Sequence, residues 1–502
     1  MFKPSLEDAK GYLKDNAVIP VCKEIFADIK TSVEILKAFR AQNKKCYLLE
    51  SVESGESWGR YSFLGCDPKL TVSCNDSVVT INDGAIREVK TSDPAKILRE
   101  ILAAHKSPKL SFMPPFTGGL VGYFSYDFIK YAEKSLDLSN RNAENFDDFY
   151  FMLFDKVIAI DHLKQKIFII ANAGVNNFEK NYEKAKKDIL ELENFIKTAN
   201  SGEMPKSELK SELRLLHNLE DFSKMVETIK KHIYEGDIFQ AVISNGIEAD
   251  FDGSLLQTYR VLRTLNPSPY MFYMNFGQSE IAGASPETLV TLNDGELTNY
   301  ALAGTVPRGK TAEEDAELIK GLLKDEKELS EHNMLVDLGR NDLGKISEFG
   351  SVKVSEYMKV LKFSHVSHLA SIIKGKIKKG FDALDAVAAV LPAGTLSGAP
   401  KIRACEIINS LEKHKRGAYG GAIGYMDFTG NMDMCIAIRM IKQQNNKVYI
   451  QAGAGIVADS QPEKEYNECL HKARAVLEAI KTATSLPSSP SVSIGDLPKE
   501  AI

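Results

Sequence analysis

The sequence predicts a globular protein that mixes α-helices and β-strands, and three observations support this fold class. Hydrophobic residues make up 44% and charged residues 26% of the 502 residues, which is typical of a chain with a large core. Short strand-like runs recur in residues 1–200, and residues 211–480 alternate helical and strand-like segments. The length suggests roughly two to four domains, or one large composite unit.

Charge, hydropathy and cysteine usage restrict the partners and the location that we expect. Lys+Arg 63 against Asp+Glu 68 gives a formal charge of −5, so no overall positive field attracts nucleic acid. No run of about 18 apolar residues predicts a transmembrane helix, and the first ten residues lack the pattern of a secretory signal. The seven cysteines are odd in number and scattered, which favours a reducing, cytoplasmic setting. We therefore expect no nucleic acid and no membrane as partners.

Composition and pattern divide the chain into four regions. In residues 1–200, an amphipathic helix is expected at about 177–198. Strand-like runs precede it at 47–50, 70–73, 157–161 and 167–171. Residues 201–210 are rich in Ser, Gly, Pro and charge, and predict a linker. Residues 211–480 contain most of the Gly-rich and acidic motifs, whereas residues 481–502 are rich in Ser and Pro and predict a disordered tail.

The run GTVPRGKT at 304–311 matches the phosphate-loop pattern, which would make the protein a nucleotide-binding protein or NTPase. Three features oppose this function. Pro307 removes a backbone N–H donor that such a loop needs, and the acidic run at 313–317 would repel phosphates. The candidate Mg-binding residue, Asp337, falls in a predicted helix, whereas it should follow a strand. The NTPase interpretation is therefore disfavoured.

Two shorter patterns lack the partners that their usual functions require. The run GAGIVA at 453–458 matches a dinucleotide fingerprint, but a predicted helix at 462–480 leaves no room for the second strand. This run can still offer backbone N–H groups to a carboxylate, with an ordinary tight turn as the alternative. His365 and His368 have a spacing that a zinc pair could use, but no third ligand lies nearby in sequence.

Two segments place a pair of carboxylates on one helical face. Glu328 and Glu331 are three residues apart, as are Glu465 and Glu468. Residues at i and i+3 are neighbours on a helix, so each pair concentrates negative charge that a cation would compensate. Two such faces brought together would form an all-oxygen site suited to Mg²⁺. From spacing alone, two separate solvated helix faces are the simpler alternative.

Taken together, these segments resemble the chorismate-utilising enzymes, and among them component I of anthranilate synthase most closely. The matching motifs are GDIFQ at 236–240, GASPE at 283–287, AGTVPRG at 303–309, DEKELSEHNMLVDLGRND at 325–342, GTLSGAPK at 394–401, YGGAIGY at 419–425, QAGAG at 451–455, LLES at 48–51 and WGRYSFLG at 58–65. Each motif is modest alone, but their number and order are specific to the family. Val306 and Asn245 differ from the residues that are common at these positions in the family, and we make no prediction about substrate affinity from either difference.

The resemblance implies a fold and a reaction. The fold is α+β, a four-layer α/β/β/α sandwich with two large, roughly orthogonal sheets that are mostly antiparallel. The reaction adds ammonia at C2 of chorismate while the C4 hydroxyl leaves, and then eliminates pyruvate to give anthranilate, the first step of tryptophan biosynthesis. Mg²⁺ is the implied cofactor. An aminodeoxyisochorismate synthase, or another chorismate-utilising enzyme, is the alternative.

The resemblance also implies which residues bind the metal and the substrate. Glu331 and Glu468 correspond to the Mg²⁺ ligands, with Glu328 and Glu465 as acidic neighbours. The positions that contact the substrate are Gly304, Thr305, Tyr419, Arg439, Gly453, Ala454 and Gly455. From the residues alone, Arg439 is expected on a strand at 434–441.

Three residues correspond to groups that act on the reacting atoms. Glu287 matches the general acid for the leaving hydroxyl, and His368 matches the histidine linked to the elimination step. Gln240 stands near the position of a lysine base in isochorismate and salicylate synthases, and it can contact ammonia without generating hydroxide. Ala303 replaces the lysine of aminodeoxychorismate synthases, so it cannot form a covalent adduct.

Finally, the resemblance implies an allosteric site for L-tryptophan and a protein partner. The residues that match the tryptophan site are Glu50, Ser51, Pro269, Tyr270, Met271 and Cys435. No nucleophile-elbow pattern surrounds any cysteine, and no glutamine-hydrolysing domain fits after residue 480. We therefore expect a glutamine amidotransferase subunit, anthranilate synthase component II, to supply ammonia.

Overall fold

The computed structural model describes residues 1–51, 59–138, 146–200, 202–362 and 366–486. The helices in these ranges are α1 Leu6–Lys10, α2 Ser32–Ala41, α3 Pro94–Ala103, α4 Ile129–Ala132, α5 Phe178–Thr198, α6 Leu219–Tyr234, α7 Leu256–Leu265, α8 Ala312–Leu322, α9 Glu326–Ile346, α10 Ala383–Val390, α11 Lys401–Leu411 and α12 Pro462–Ser485. Short 3-10 turns lie at Tyr126–Phe128 and Gly394–Leu396.

The strands from the N-terminal part are β1 Phe2–Lys3, β2 Val18–Phe26, β3 Cys46–Glu50, β4 Tyr61–Cys66, β5 Leu70–Asn75, β6 Val78–Asn82, β7 Ile86–Lys90, β8 Gly119–Phe124, β9 Phe149–Phe154, β10 Lys156–Asp161 and β11 Lys166–Gly174. Those that follow are β12 Ser207–Leu209, β13 Arg214–Leu215, β14 Gln240–Gly253, β15 Tyr270–Asn275, β16 Ser279–Ser285, β17 Thr288–Asn293, β18 Glu296–Pro307, β19 Lys353–Lys362, β20 Val366–Lys376, β21 Gly398–Ala399, β22 Ala422–Asp427, β23 Met432–Ile436, β24 Met440–Gln444 and β25 Lys447–Ile456.

Two large antiparallel sheets organise the fold. The first has 14 strands, in the order β1-β2-β11-β10-β4-β3-β15-β16-β24-β25-β14-β12, with β13 and β21 also paired to β14. The second has 11 strands in the order β19-β20-β18-β17-β23-β22-β8-β9-β5-β6-β7. Each sheet takes strands from both sides of residue 200, so the N-terminal and C-terminal regions of the chain interleave.

The sheets pack face to face, and helices cover their outer faces. Tyr47 and Phe272 of the first sheet share one buried cluster with Tyr123 and Ile423 of the second. Another cluster joins the outer face of the first sheet to α2, α5, α7 and α12, and a third joins the second sheet to α9 and α10. The predicted four-layer sandwich of helices and sheets is therefore confirmed. Within the described ranges, no helix combines the length and apolar character needed to cross a bilayer.

Two predictions about irregular segments are wrong in part. Within the linker predicted at 201–210, residues 207–209 form β12, because their backbone pairs with the end of β14. The predicted tail at 481–502 begins too early, since α12 continues to Ser485 and buries Thr482 and Ala483 against the first sheet. Residues 487–502 lie outside the described residues.

Candidate active site

Four glutamates from two helices face one another. The side chain of Asp325 caps α9, so this helix starts directly before Glu328, and α12 starts with a proline three residues before Glu465. Burial, and next the charge of Glu328, raise the pKa of Glu331. Glu468 and Glu465 of the other helix raise it further. The two acidic faces therefore lie together and are not separate solvated surfaces.

The cluster of four glutamates contains more negative charge than its neighbours compensate. Lys472, one turn further along α12, places its Nζ 2.7 Å from Glu468 Oε1. Of the four glutamates, Glu468 alone forms an ion pair with another described residue. Burial also raises the pKa of Glu465, and Glu468 adds to that shift. The unbalanced charge of these carboxylates suits a hard divalent cation such as Mg²⁺, but no three of these four described glutamates have carboxylate oxygens within 4.8 Å of one another, so a cation would have to draw them together.

Small residues of β25 form a wall beside this cluster. Residues 453–455 pair in register with β14, and Lys472 Nζ donates a hydrogen bond of 3.0 Å to the carbonyl of Gly453. The predicted loop or tight turn is wrong, because strand pairing keeps the backbone extended. A Cβ at Gly453 would lie 3.0 Å from Tyr419 Oη, and a Cβ at Gly455 would lie 2.7 Å from Gln240 Nε2. The two glycines leave room for these side chains on one face of β25.

A bulge at Gly304 shapes the neighbouring part of the second sheet. Gly304 has φ 78°, a left-handed conformation that glycine adopts readily, and the β18–β20 register shifts between Ala303 and Thr305. Beyond the bulge, Thr305 is paired with His368. Burial lowers the pKa of His368 to about 4, and the charge of Arg439 adds to this shift. The His368 ring is therefore neutral at pH 7 and lies close to both Gly304 and Arg439. His365 lies outside the described residues.

Glu287 is buried and Arg439 is partly buried, and both lie where the chain passes between the two sheets. Arg439 follows β23 of the second sheet, precedes β24 of the first, and has φ 48°. The prediction that it lies on a continuous strand is wrong, because the chain changes sheets there. Glu287 lies between β16 and β17, and Thr395 Oγ1 donates a hydrogen bond of 3.2 Å to its Oε1. Burial raises the pKa of Glu287 to about 7, against the opposing effects of Thr395, Lys472 and Arg439.

The run at 304–311 does not form a phosphate loop. β18 extends into this run as far as Pro307, with the bulge at Gly304, so the first half of the run belongs to a strand. The N–H of Gly309 donates to the Asp315 carboxylate, and the N–H of Lys310 donates to the Glu314 carboxylate. Both carboxylates belong to the first turn of α8. They occupy backbone donors that a phosphate would need, which agrees with the sequence interpretation that disfavoured an NTPase.

A separate cavity of about 320 Å³ lies between the two sheets. The six residues assigned to the tryptophan site all line it: Glu50, Ser51, Pro269, Tyr270, Met271 and Cys435. Tyr270 Oη donates a hydrogen bond of 2.9 Å to Asp433, and burial raises the pKa of Asp433 to about 6. The buried Ser51 hydroxyl has no hydrogen-bond partner among the described residues. Tryptophan binding in this cavity stays a prediction.

Glu50 has a structural role at the edge of this cavity. Its carboxylate accepts hydrogen bonds from Ser32 Oγ at 2.9 Å and from Tyr259 Oη at 2.6 Å. The Arg263 guanidinium donates two more, at 2.6 and 3.3 Å. These contacts hold the end of β3 against α2 and α7, so Glu50 shapes the cavity wall. Both of its carboxylate oxygens already accept hydrogen bonds from other residues of the chain.

The sequence interpretation missed three side chains that the structure brings to these sites. Lys472 stands four residues after Glu468, and this i, i+4 spacing was a usable signal for the ion pair. Thr395 lies in the motif at 394–401, but nothing local indicates that it would contact Glu287. Asp433 alternates with apolar neighbours on β23, a pattern that shows only which face of a strand it occupies.

Comparison with known proteins shows which proteins this chain is similar to. The chain matches the family model for chorismate binding enzymes over residues 32–478. It is 45% identical to anthranilate synthase component 1 of Acetivibrio thermocellus over 493 residues, covering 96% of this chain and 99% of that protein. The crystal structure of anthranilate synthase component I from Streptococcus pneumoniae TIGR4 matches with a TM-score of 0.74 at 38% identity, covering 85% of this chain and 93% of that chain. The menaquinone-specific isochorismate synthase of Escherichia coli matches with a TM-score of 0.67 at 20% identity, covering 95% of this chain and 99% of that chain.

These similarities, together with the fold, identify the class of protein. The chain belongs to the family of chorismate binding enzymes, as its motifs predicted. Within that family, the relatives at 45% and 38% identity are both component I proteins of anthranilate synthase. The likeness to the isochorismate synthase, at 20% identity, shows the shared fold alone.

The raised pKa of Glu287 should appear in the pH dependence of stability. Its folded pKa, about 7, lies above the ordinary value of 4.5, so the folded state keeps a proton that the unfolded state loses between these values. The free energy of unfolding should therefore fall by about 3 kcal/mol from this residue as pH rises from about 4.5 to about 7. Glu287→Gln, which stays neutral, should lose this part of the pH dependence.

Urea unfolding at about pH 5 and about pH 7.5 measures the effect. Glu317→Gln, at an exposed position of α8, is the matched control and should keep the pH dependence of the unsubstituted protein. An unchanged pH dependence in Glu287→Gln would contradict the assignment of a protonated, buried carboxyl group.

Proposed function

We propose that this enzyme is the large subunit of an anthranilate synthase, which aminates chorismate with ammonia and releases pyruvate to form anthranilate. One observation carries the proposal: the acidic ends of α9 and α12 lie close enough that Glu465 and Glu468 raise the pKa of Glu331, and Lys472 pairs with Glu468. This arrangement suits a divalent cation together with a dicarboxylate substrate. The relative named anthranilate synthase component 1, at 45% identity, supports the reaction class.

The metal ligands are proposed to be Glu331 and Glu468, with Glu328 and Glu465 beside them. When bound, Mg²⁺ supplies positive charge that grips the ring carboxylate of chorismate and polarises it. The raised pKa of Glu331 supports this assignment, because burial and, after it, the neighbouring carboxylates disfavour its charged form, and a divalent cation would oppose both effects.

Arg439 is proposed to bind the second, enolpyruvyl carboxylate of the substrate. Its guanidinium is partly buried, and a partly buried cation attracts an anion more strongly than an exposed one because less water screens the charge. The planar fork can hold both carboxylate oxygens. Tyr419 Oη, at the face of β25 that Gly453 leaves bare, can donate a further hydrogen bond to the same group.

Three residues are proposed to act on the reacting atoms. Glu287, with a pKa of about 7, is protonated in a substantial fraction of molecules at neutral pH and can protonate the departing C4 hydroxyl, which leaves as water. The neutral His368 ring can accept the proton that C2 loses as pyruvate is eliminated. The buried Gln240 Oε1 has no partner among the described residues and can accept a hydrogen bond from ammonia.

We also propose that L-tryptophan binds the cavity between the sheets and inhibits the enzyme allosterically. A volume of about 320 Å³ is within the range of small-molecule sites. Asp433 supplies negative charge for an α-ammonium group, Ser51 supplies a hydroxyl without a partner among the described residues, and Met271 can pack on the indole. Since β3 and β4 supply part of the wall, residues 1–200 carry the regulatory role in this proposal.

A second subunit is proposed to supply ammonia. The name component 1 of the relatives implies a second component, which we take to be the glutamine amidotransferase subunit, component II. This chain alone should then use free ammonia and not glutamine.

The reaction is tested by incubating the purified chain with chorismate, Mg²⁺ and an ammonium salt at alkaline pH. We expect fluorescent anthranilate, and loss of the product when Mg²⁺ is chelated. Glu331→Gln should lower turnover by roughly 10²–10³-fold, because it removes one ligand of the cation that holds the ring carboxylate. Asp337→Asn, at an exposed position of α9, is the matched control and should keep full turnover.

Three outcomes of this experiment would oppose the proposal. Accumulation of an aminated intermediate without pyruvate would indicate an aminodeoxyisochorismate synthase. Unaffected turnover in Glu331→Gln would contradict the metal assignment. Equal activity with glutamine and with ammonium, in the absence of component II, would contradict the proposal that component II supplies ammonia from glutamine.

Ser51→Ala should weaken inhibition by L-tryptophan while the uninhibited turnover stays unchanged. The variant removes one hydrogen bond to the effector, worth about 1 kcal/mol, so the inhibition constant should rise about fivefold. Ser355→Ala, at an exposed position of β19, is the matched control. An unchanged inhibition constant in Ser51→Ala, measured from anthranilate formation at several tryptophan concentrations, would argue against this cavity as the effector site.

A further inference from the structure

Two cysteines outside the catalytic cluster lie opposite each other on neighbouring strands. Cys46 begins β3 and Cys66 ends β4, and the two residues are direct partners in the antiparallel register. Residues paired in this way have side chains on the same face of a sheet. Both thiols belong to the buried cluster that joins the first sheet to its covering helices. Both cysteines are free thiols in this structure.

The hydrogen-bond pattern defines the type of cross-strand pair. The N–H of Asp67 donates to the carbonyl of Lys45 at 3.0 Å, so these two residues form a hydrogen-bonded pair. The adjacent pair, Cys46 and Cys66, is therefore a non-hydrogen-bonded pair, in which the Cα atoms are about 4.5 Å apart and the side chains are closest. Disulfides span Cα separations of about 4.4–6.8 Å, so a disulfide fits at the short end of this range without moving the strands apart.

A small cavity gives a reagent access to one of the two thiols. Cys66 lines a cavity of about 200 Å³ between α2, α5 and the first sheet, together with Lys44 and Lys156. This cavity contains none of the residues assigned to catalysis or to the tryptophan site. The other strand cysteines among the described residues face different partners: Cys22 is paired with Ile170, Cys74 with Val79 and Phe149, and Cys435 with Thr288 and Ile423.

We propose that Cys46 and Cys66 form a reversible cross-strand disulfide when the protein meets a peroxide. The Cys66 thiolate attacks one peroxide oxygen and becomes a sulfenic acid, while the second oxygen leaves as water after protonation. The Cys46 sulfur then displaces the sulfenic oxygen as a second water. In total, two thiols and one hydrogen peroxide give one disulfide and two waters, and a dithiol reductant reverses the change.

The environment of the thiols determines how fast this oxidation proceeds. Burial raises the pKa of Cys66 to about 12, although Lys44 and Lys156 oppose that shift. Burial also raises the pKa of Cys46, and the neighbouring Cys66 contributes to the shift. Since the thiolate is the reactive form, the rate should rise about tenfold for each pH unit between about pH 7 and pH 9.

The position of the disulfide gives it a structural consequence. The opposite ends of β3 and β4 border the cavity between the sheets, where Ser51 and Arg60 lie. A bond at the other end of this strand pair closes the chain from residue 46 to residue 66 and restricts the unfolded state. The oxidised protein should therefore unfold at a higher temperature than the reduced protein. This inference does not depend on the proposed enzymatic function.

The test treats the full chain with hydrogen peroxide, blocks remaining thiols with an alkylating reagent, and maps peptides by mass spectrometry under non-reducing conditions. We expect a peptide pair linked through Cys46 and Cys66, a loss of two hydrogen atoms from the intact mass, and recovery of both thiols after dithiothreitol. Cys46→Ser and Cys66→Ser should each abolish the linked pair, and Cys74→Ser should retain it.

Two results would overturn the proposal. In the first, both thiols stay reduced after peroxide treatment and react with the alkylating reagent only once the protein is unfolded, and no linked peptide is found at any pH tested. The other is oxidation that stops at an adduct on a single cysteine. Because the unsubstituted protein itself gives the decisive peptide map, the test stands even if a serine variant fails to fold.

Discussion

The mutual repulsion of four carboxylates is the constraint on which the rest of the site depends. Glu331 is partly buried beside Glu328 and opposite Glu465 and Glu468, and its pKa is raised as a result. Lys472 compensates only Glu468 by direct contact. α9 covers the second sheet and α12 covers the first, so the cluster exists only because the two halves of the sandwich pack together. The fold concentrates charge at this junction, and a divalent cation is the simplest group that balances it.

The same junction explains where the other functional groups lie. Arg439 and Glu287 both occupy short segments in which the chain leaves one sheet and enters the other. Neither residue lies within a strand, although the carbonyls of both still accept backbone hydrogen bonds, Arg439 from Ala284 and Glu287 from Ile436. β23 ends three residues before Arg439, and it also contributes Asp433 and Cys435 to the cavity between the sheets. A ligand that shifts β23 would therefore act on Arg439 through only a few residues, which is a physical basis for the proposed inhibition by tryptophan.

The sequence predicted the elements of the site better than their arrangement. Spacing placed Glu328 with Glu331 on one helical face, but it could not show that Glu465 and Glu468 of α12 would approach them, since that approach is set by the packing of two sheets. Only the resemblance to the chorismate-utilising enzymes predicted that the two pairs of glutamates belong to one site. Gly453 was misjudged because glycine is a poor strand former in isolation, and here pairing with β14 overrides that preference.

Other parts of the structure had no adequate local signal. Arg439 lies among β-forming residues, so the sequence predicts a strand there. The strand is interrupted because the chain passes from one sheet to the other between β23 and β24. Residues 207–209 have the composition of a linker and become β12 because the edge of β14 is available for pairing. Cys46 and Cys66 lie twenty residues apart in sequence, and only the register of β3 against β4 makes them neighbours.

Calorimetric titration of the purified chain with Mg²⁺, compared with the Glu331→Gln and Glu468→Gln variants, tests the central claim most directly. Near pH 5.5, about one ion should bind each unsubstituted chain and release protons, because carboxyl groups with raised pKa values must ionise to accept the metal. Each variant should bind at least about tenfold more weakly. Binding of equal strength in all three proteins, or no binding by the unsubstituted chain, would contradict the account.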